Sequence, residues 1–139
     1  MNVVYSLSFA ELLDRLSIVE LRNINSKEPN EKIQEEIKDI LHDIDLHLAE
    51  KPMSGEQVRG LIILSYVNKF IWDNESSVRE EEDCSNQTYS HELLEKLKQS
   101  HKANSLRAEA KKHIQNQRQE RIDEKLNYGK QVDMWNIKF

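Results

Sequence analysis

Phe9, Leu12, Leu13, Leu16, Val19 and Ile24 recur at helical spacing. At about 100° per residue they fall on one side of a helix. A first helix is therefore expected over residues 7 to 24. Ser6 or Ser8 can cap it, and Ser8 with Glu11 forms a capping-box pattern. A loop holding Pro29 follows. Ile33, Ile37, Ile40, Leu41, Ile44 and Leu48 mark a second helix over residues 31 to 48, closed by Lys51 and Pro52. Ser54 with Gln57 repeats the capping signal, and Val58, Leu61, Leu64, Val67, Phe70 and Ile71 carry a third helix to about residue 82. Its middle is apolar nearly all round, which predicts the central helix. The polar residues 83 to 89 predict a loop. Ser90 opens a fourth helix over residues 91 to 121, whose main apolar positions are Leu93, Leu94, Leu97, Leu106, Ala108 and Ile114. So sparse a stripe predicts a half-solvated helix or one paired with another chain. Gly129 breaks the segment beyond it. The aromatic end, Met134-Trp135-Asn136-Ile137-Lys138-Phe139, is expected to dock on this bundle or on a neighbouring subunit.

These elements predict an all-α fold: an antiparallel bundle of about four helices over residues 1 to 122, and a C-terminal aromatic arm over residues 123 to 139. Three glycines and two prolines in 139 residues agree with long helices and few tight turns. The net charge is -5, with 20 basic and 25 acidic residues. That balance argues against wrapping a nucleic-acid polymer, although it leaves room for a local basic pocket. The first apolar stretch carries Glu11, Asp14 and Arg15, unlike a signal peptide. Residues 61 to 72 are the most apolar window and are too few to span a bilayer. A cytoplasmic protein without membrane contact is expected. Cys84 is the lone cysteine, reads as an incidental thiol, and can make no internal disulfide.

Candidate chemistry lies in polar residues that share faces with the apolar stripes. Glu20 falls at the centre of the first helix's apolar face, with Asn23 on the same side. A carboxylate there needs a partner. A salt bridge to another helix, a ligand or metal contact, and a rotated helix that lets it reach solvent all remain open. Glu11, Arg15 and Arg22 line another side, where Glu11 and Arg15 can be a surface ion pair. Asn68, Trp72, Glu75 and Arg79 are spaced four, three and four, a single row along the third helix. That row suits a planar anionic ligand, with Trp72 stacking and Arg79 clamping phosphate; it equally suits an interhelical polar network. Asn104, Arg107 and Lys111 form a row on the fourth helix, preceded by His101. Alone, such a row usually marks a solvated face. Asp39, His42, Asp43, Asp45 and His47 include acid–histidine pairs at helical spacing, a weak signal for a divalent ion.

The three rows together resemble a family of small uncharacterised all-α bacterial and phage proteins. Residues 8 to 22, with Glu11-Leu12-Leu13-Asp14-Arg15, resemble that family's opening, G-E-L-L-D-K-I-T-I-L-E-I-K. Residues 67 to 79 are similar to its V-N-x-x-L-W-D-x-E-D-x-I-R, with Ser76 where the family tends to have Asp. Residues 103 to 111 are similar to its T-N-x-x-R-A-x-x-K. The resemblance covers about residues 6 to 116, in matching order and spacing. It implies the helical fold and a convergence of the three rows, and carries no reaction with it. Such proteins are often encoded near glycan-assembly genes. A looser fold-level likeness is to MazG-type nucleotide pyrophosphohydrolases, with Glu11 and Asp14 as half of their carboxylate set.

Three functions are therefore expected in competition. The first is a non-catalytic binder of a phosphorylated small molecule: a nucleotide, nucleotide sugar or cyclic nucleotide signal. Its ligand would meet Arg15, Glu20, Asn68, Trp72, Glu75, Arg79, Asn104, Arg107 and Lys111, with no cofactor. A phage-borne version would sequester a signal in the host cytoplasm. The second is a magnesium-dependent nucleotide pyrophosphohydrolase, with Glu11 and Asp14 among the metal ligands. The third is a helical interaction protein. Under all three the sparse fourth helix predicts a homo-oligomer.

Overall fold

The computed structural model describes residues 7–84, 91–118 and 134–139. They form four helices: α1 (Phe9–Ile24), α2 (Glu31–Glu50), α3 (Gly55–Cys84) and α4 (His91–Asn116). No strand occurs among the described residues, and the all-α bundle is as expected.

Local chemistry sets the helix starts. Ser8 caps α1, its side-chain oxygen accepting from the Glu11 N–H. Asn30 caps α2 by accepting from the N–H groups of Lys32 and Ile33. Ser54 and Gln57 close a reciprocal capping box: the Gln57 N–H donates to Ser54 Oγ at 3.2 Å, and the Ser54 N–H to Gln57 Oε1 at 2.9 Å. The ends depart more from expectation. Helix α2 runs two residues past Leu48, and α3 continues through Cys84 into the segment expected to be a loop. Helix α4 stops at Asn116, five residues short of the expected end, and Gln117 and Arg118 turn away. The expected cap at Ser90 and most of the arm lie outside the described residues.

Side-chain pairings give the topology. Glu11 meets Lys111 and Asp14 meets Arg107, so α1 and α4 are antiparallel. Gln57 reaches the Ile114 carbonyl and Asn74 the Lys96 carbonyl, so α3 and α4 are antiparallel too. His47 lies by Leu7, whereas Arg22 meets Glu36, which runs α2 against α1. The hub is α1, which touches the other three helices, whereas α2 pairs by backbone proximity with α1 alone. The apolar girth of α3 had pointed to that helix instead. Val58, Ile62 and Tyr66 on α3 are exposed, so its apolar residues are not all core.

Two apolar clusters fill the interior. One gathers Phe9, Leu12, Leu13, Val19, Ile37, Ile40, Ile44, Leu64, Ala110 and Ile114. The other joins Val67 and Ile71 of α3 to Ala103 and Leu106 of α4. Small residues let these two helices approach: Ser100, Ala103 and Ala110 are buried on α4, and Gly60 faces it from α3. A Cβ on Gly60 would stand 2.7 Å from Ile114 Cγ1, closer than atoms pack. The sparse stripe of α4 is thus enough to bury one face against α3. Met134, Trp135 and Ile137 pack on the second cluster, and Trp135 meets Tyr66 and Phe70 edge-on at 5.2 and 4.8 Å between ring centres.

Candidate functional site

The fold brings Asn68 of the α3 row and Arg107 of the α4 row onto Asp14 of α1, which belongs to no row and is expected from the sequence only as a metal ligand of the alternative reading. Asp14 on α1 is buried, as is Asn68 on α3. Arg107 of α4 donates to both Asp14 oxygens, from Nε at 2.8 Å and from a terminal nitrogen at 2.6 Å. Asn68 Nδ2 donates to Asp14 Oδ1 at 2.9 Å and lies 3.3 Å from Ser17 Oγ. Lys111, one turn beyond Arg107, donates to Glu11 at 2.9 Å and stands 3.7 Å from Asp14. Asp14 therefore ties three helices together through planar, two-pronged geometry.

Electrostatics follow from this geometry. Burial pushes the Asp14 carboxyl up. The hydrogen bonds and charge of Arg107, with Asn68 and Lys111 behind them, outweigh burial and hold it below its ordinary value. The hydrogen bonds of Asp14 raise the Arg107 guanidinium against its own partial burial; the charges of Asp14, Glu11 and Glu75 add to this. Asp14 stays ionised at neutral pH, but with its oxygens committed to cations.

Beside this anchor an open cleft of about 450 Å³ is lined by Glu11, Asp14, Arg15, Arg22, Glu36 and Arg107, with Leu7, Ile18 and Val19 as its apolar part. Glu36 of α2 accepts from two arginines of α1. Arg15 reaches Oε1 at 3.2 Å and Arg22 reaches Oε2 at 2.8 Å. Glu11 and Arg15 therefore do not pair with each other; each turns to a different helix. Glu36 and Arg22 had not stood out as site residues. A glutamate on a polar face carries no sequence signal that two arginines wait across a hairpin.

Other expected site residues lie elsewhere. Glu20 is half-buried and accepts a 3.5 Å hydrogen bond from Asn23. It lines a separate apolar groove of about 330 Å³ between α1 and α3, with Leu13, Leu16, Leu21, Ile24 and Leu61. Trp72 is half-buried one turn beyond Asn68; Glu75, Arg79 and Asn104 are exposed. None of these four lines the arginine cleft. The charge of Glu75 still acts on Arg107, so the α3 row continues past the anchor. On α2, His47 faces inward against the Phe9 ring at 5.7 Å, whereas His42 points to solvent. No group of three or more His, Cys, Asp or Glu side chains among the described residues is placed to hold a metal ion. Arg118 is a buried cation that the rows had not signalled. It stacks 4.0 Å over Phe9 and donates to the carbonyls of His47 and Lys51, closing the end of the bundle.

No helix among the described residues is long and apolar enough to cross a membrane. Comparison with family models, curated proteins and solved structures finds no match to this chain.

Proposed function

We propose that this protein is a non-catalytic binder of a phosphorylated small molecule, of the nucleotide, nucleotide-sugar or cyclic-nucleotide class. The ligand's phosphate would enter the cleft between α1, α2 and α4. One observation carries the reading: Arg15, Arg22 and Arg107, from two different helices, line a single concave surface of ligand size. Arginine forks match phosphate oxygens as they match carboxylates. Asp14 would not touch the ligand; it would fix the direction in which Arg107 points. Asn104 and Trp72 lie one turn along from Arg107 and Asn68 on antiparallel helices, in the same direction. They would meet the non-phosphate part.

The magnesium-dependent pyrophosphohydrolase is the weaker reading. Glu11 and Asp14 face Lys111 and Arg107 at ion-pair distance, which opposes their use as metal ligands. A homo-oligomer is supported as a second reading by exposed large apolar side chains: Ile24, which lines the α1–α3 groove, and Ile62 and Tyr66 on α3.

Calorimetric titration with nucleoside di- and triphosphates and nucleotide sugars tests the proposal, preceded by native mass spectrometry of the purified protein. At least one ligand should bind. Its affinity should fall about tenfold in Arg15→Ala, as expected for loss of one charge-assisted contact. A protein that emerges empty and binds nothing across that panel is not such a binder.

A further inference from the structure

Glu36 occupies the place in the cleft that a ligand's phosphate would need. It is a planar anion whose two oxygens are divided between Arg15 and Arg22. The two arginines lie two turns apart on one face of α1, and the carboxylate is presented by a different helix. Phosphate is the other common anion for such a pair of forks.

We propose that Glu36 is a built-in competitor for the phosphate group: it holds Arg15 and Arg22 in their receiving geometry and yields them when ligand enters. This rests on the phosphate-binding reading of the cleft and adds a mechanism of regulation to it. The energetics favour exchange. The side chains of Arg15, Arg22 and Glu36 are 55%, 46% and 30% exposed, so these pairs are surface bridges rather than buried ones. Exposed pairs are held weakly and are screened by salt. The Asp14–Arg107 pair differs: its carboxylate is only 4% exposed and has Asn68 as a third partner. Ligand entry should therefore release Glu36 to solvent and leave Asp14 in place. Glu36 is half-buried at the cleft's edge, so it would swing outward from α2 toward solvent.

The arrangement also predicts selectivity. A monoanionic carboxylate ligand offers no more charge than Glu36 and would displace it poorly. Phosphate and diphosphate groups carry more charge and more acceptor oxygens, and they would win.

The test is the affinity of inorganic pyrophosphate and of adenosine diphosphate for the parent, Glu36→Gln and Arg22→Ala, each checked for folding by thermal melting. Glu36→Gln should bind at least one probe roughly three- to tenfold more tightly than the parent, the scale of an exposed ion pair removed from competition. Arg22→Ala should bind it more weakly. If the parent binds a probe and Glu36→Gln binds it equally or less well, the competitor role is wrong and the cleft reading survives. If a probe binds but Arg22→Ala leaves its affinity unchanged, Arg22 takes no part and the exchange is overturned. If neither parent nor Glu36→Gln binds either probe, the phosphate cleft fails and Glu36 falls with it.

Discussion

Asp14 is the residue on which the site's geometry depends. In sequence it reads as half of a carboxylate pair for a metal, because its neighbours in the chain are all that can be seen. Its real partner is 93 residues away. Residue type and helical spacing placed Asn68 and Arg107 in rows on their helices but could not say that both rows met Asp14. Asp14→Ala should strand Arg107 over a void, while Lys111 keeps its bond to Glu11. Breaking a buried pair costs about 3–5 kcal/mol. Because Arg107 is partly exposed, the lower end, about 3 kcal/mol, is expected in urea unfolding. A loss below 1 kcal/mol would mean that the three-helix tie contributes little. The acid limb gives a second check. The folded carboxyl titrates below its ordinary value of 3.8, so its contribution is fully present above that value. It is lost as pH falls through the lower folded value. The stability gap between parent and Asp14→Asn should thus be constant near neutrality and shrink at acid pH. A gap independent of pH down to acid unfolding contradicts the assignment.

Among the helices, starts were far more legible than ends or neighbours. Ser8 with Glu11 and Ser54 with Gln57 announce caps because the interactions are confined to four residues. The end of α3 and the hub role of α1 depend on what lies across the bundle, and no local pattern reports that. Gln57 shows how a local signal also conceals a distant one. Its capping role is readable, yet it is fully buried, and its Nε2 donates 3.2 Å to the Ile114 carbonyl of α4. Losing an ordinary cap costs about 1 kcal/mol, and Ser54→Ala should show about that loss. Gln57→Ala should cost about 2–3 kcal/mol, since it also leaves a buried carbonyl unsatisfied and a cavity behind. Chemical denaturation of both variants decides this, and equal losses would show that the bond to α4 adds nothing.

For the molecule as a whole, the sequence left open whether the aromatic end docks on its own bundle or on another. Its described part, residues 134–139, lies along α3 and α4 of the same chain. Arg59 donates to the Lys138 carbonyl at 2.9 Å and faces the Phe139 ring, which also packs against His113. Trp135 and Asn136 both take left-handed backbone angles, with φ of 60° and 53°. Side chains other than glycine adopt that region at a cost, so something must hold them there. The contacts of the Trp135 ring with Tyr66 and Phe70 supply that hold. Trp135→Ala keeps the unfavourable backbone but removes the ring, and about 2 kcal/mol should be lost; full burial would raise this to about 3–5 kcal/mol. The concentration dependence of the effect carries the topology. Docking within one chain is unimolecular, so the drop in melting temperature should be the same at every protein concentration. A drop that grows on concentrating the sample means that the ring is held by a second copy, since association stabilises by mass action. The same melts then bear on the exposed Ile24, Ile62 and Tyr66. If the parent's melting temperature rises with concentration while the Trp135→Ala difference stays constant, the chains associate through another face. Ile24 in the α1–α3 groove and Ile62 on α3 would then be the residues to mutate.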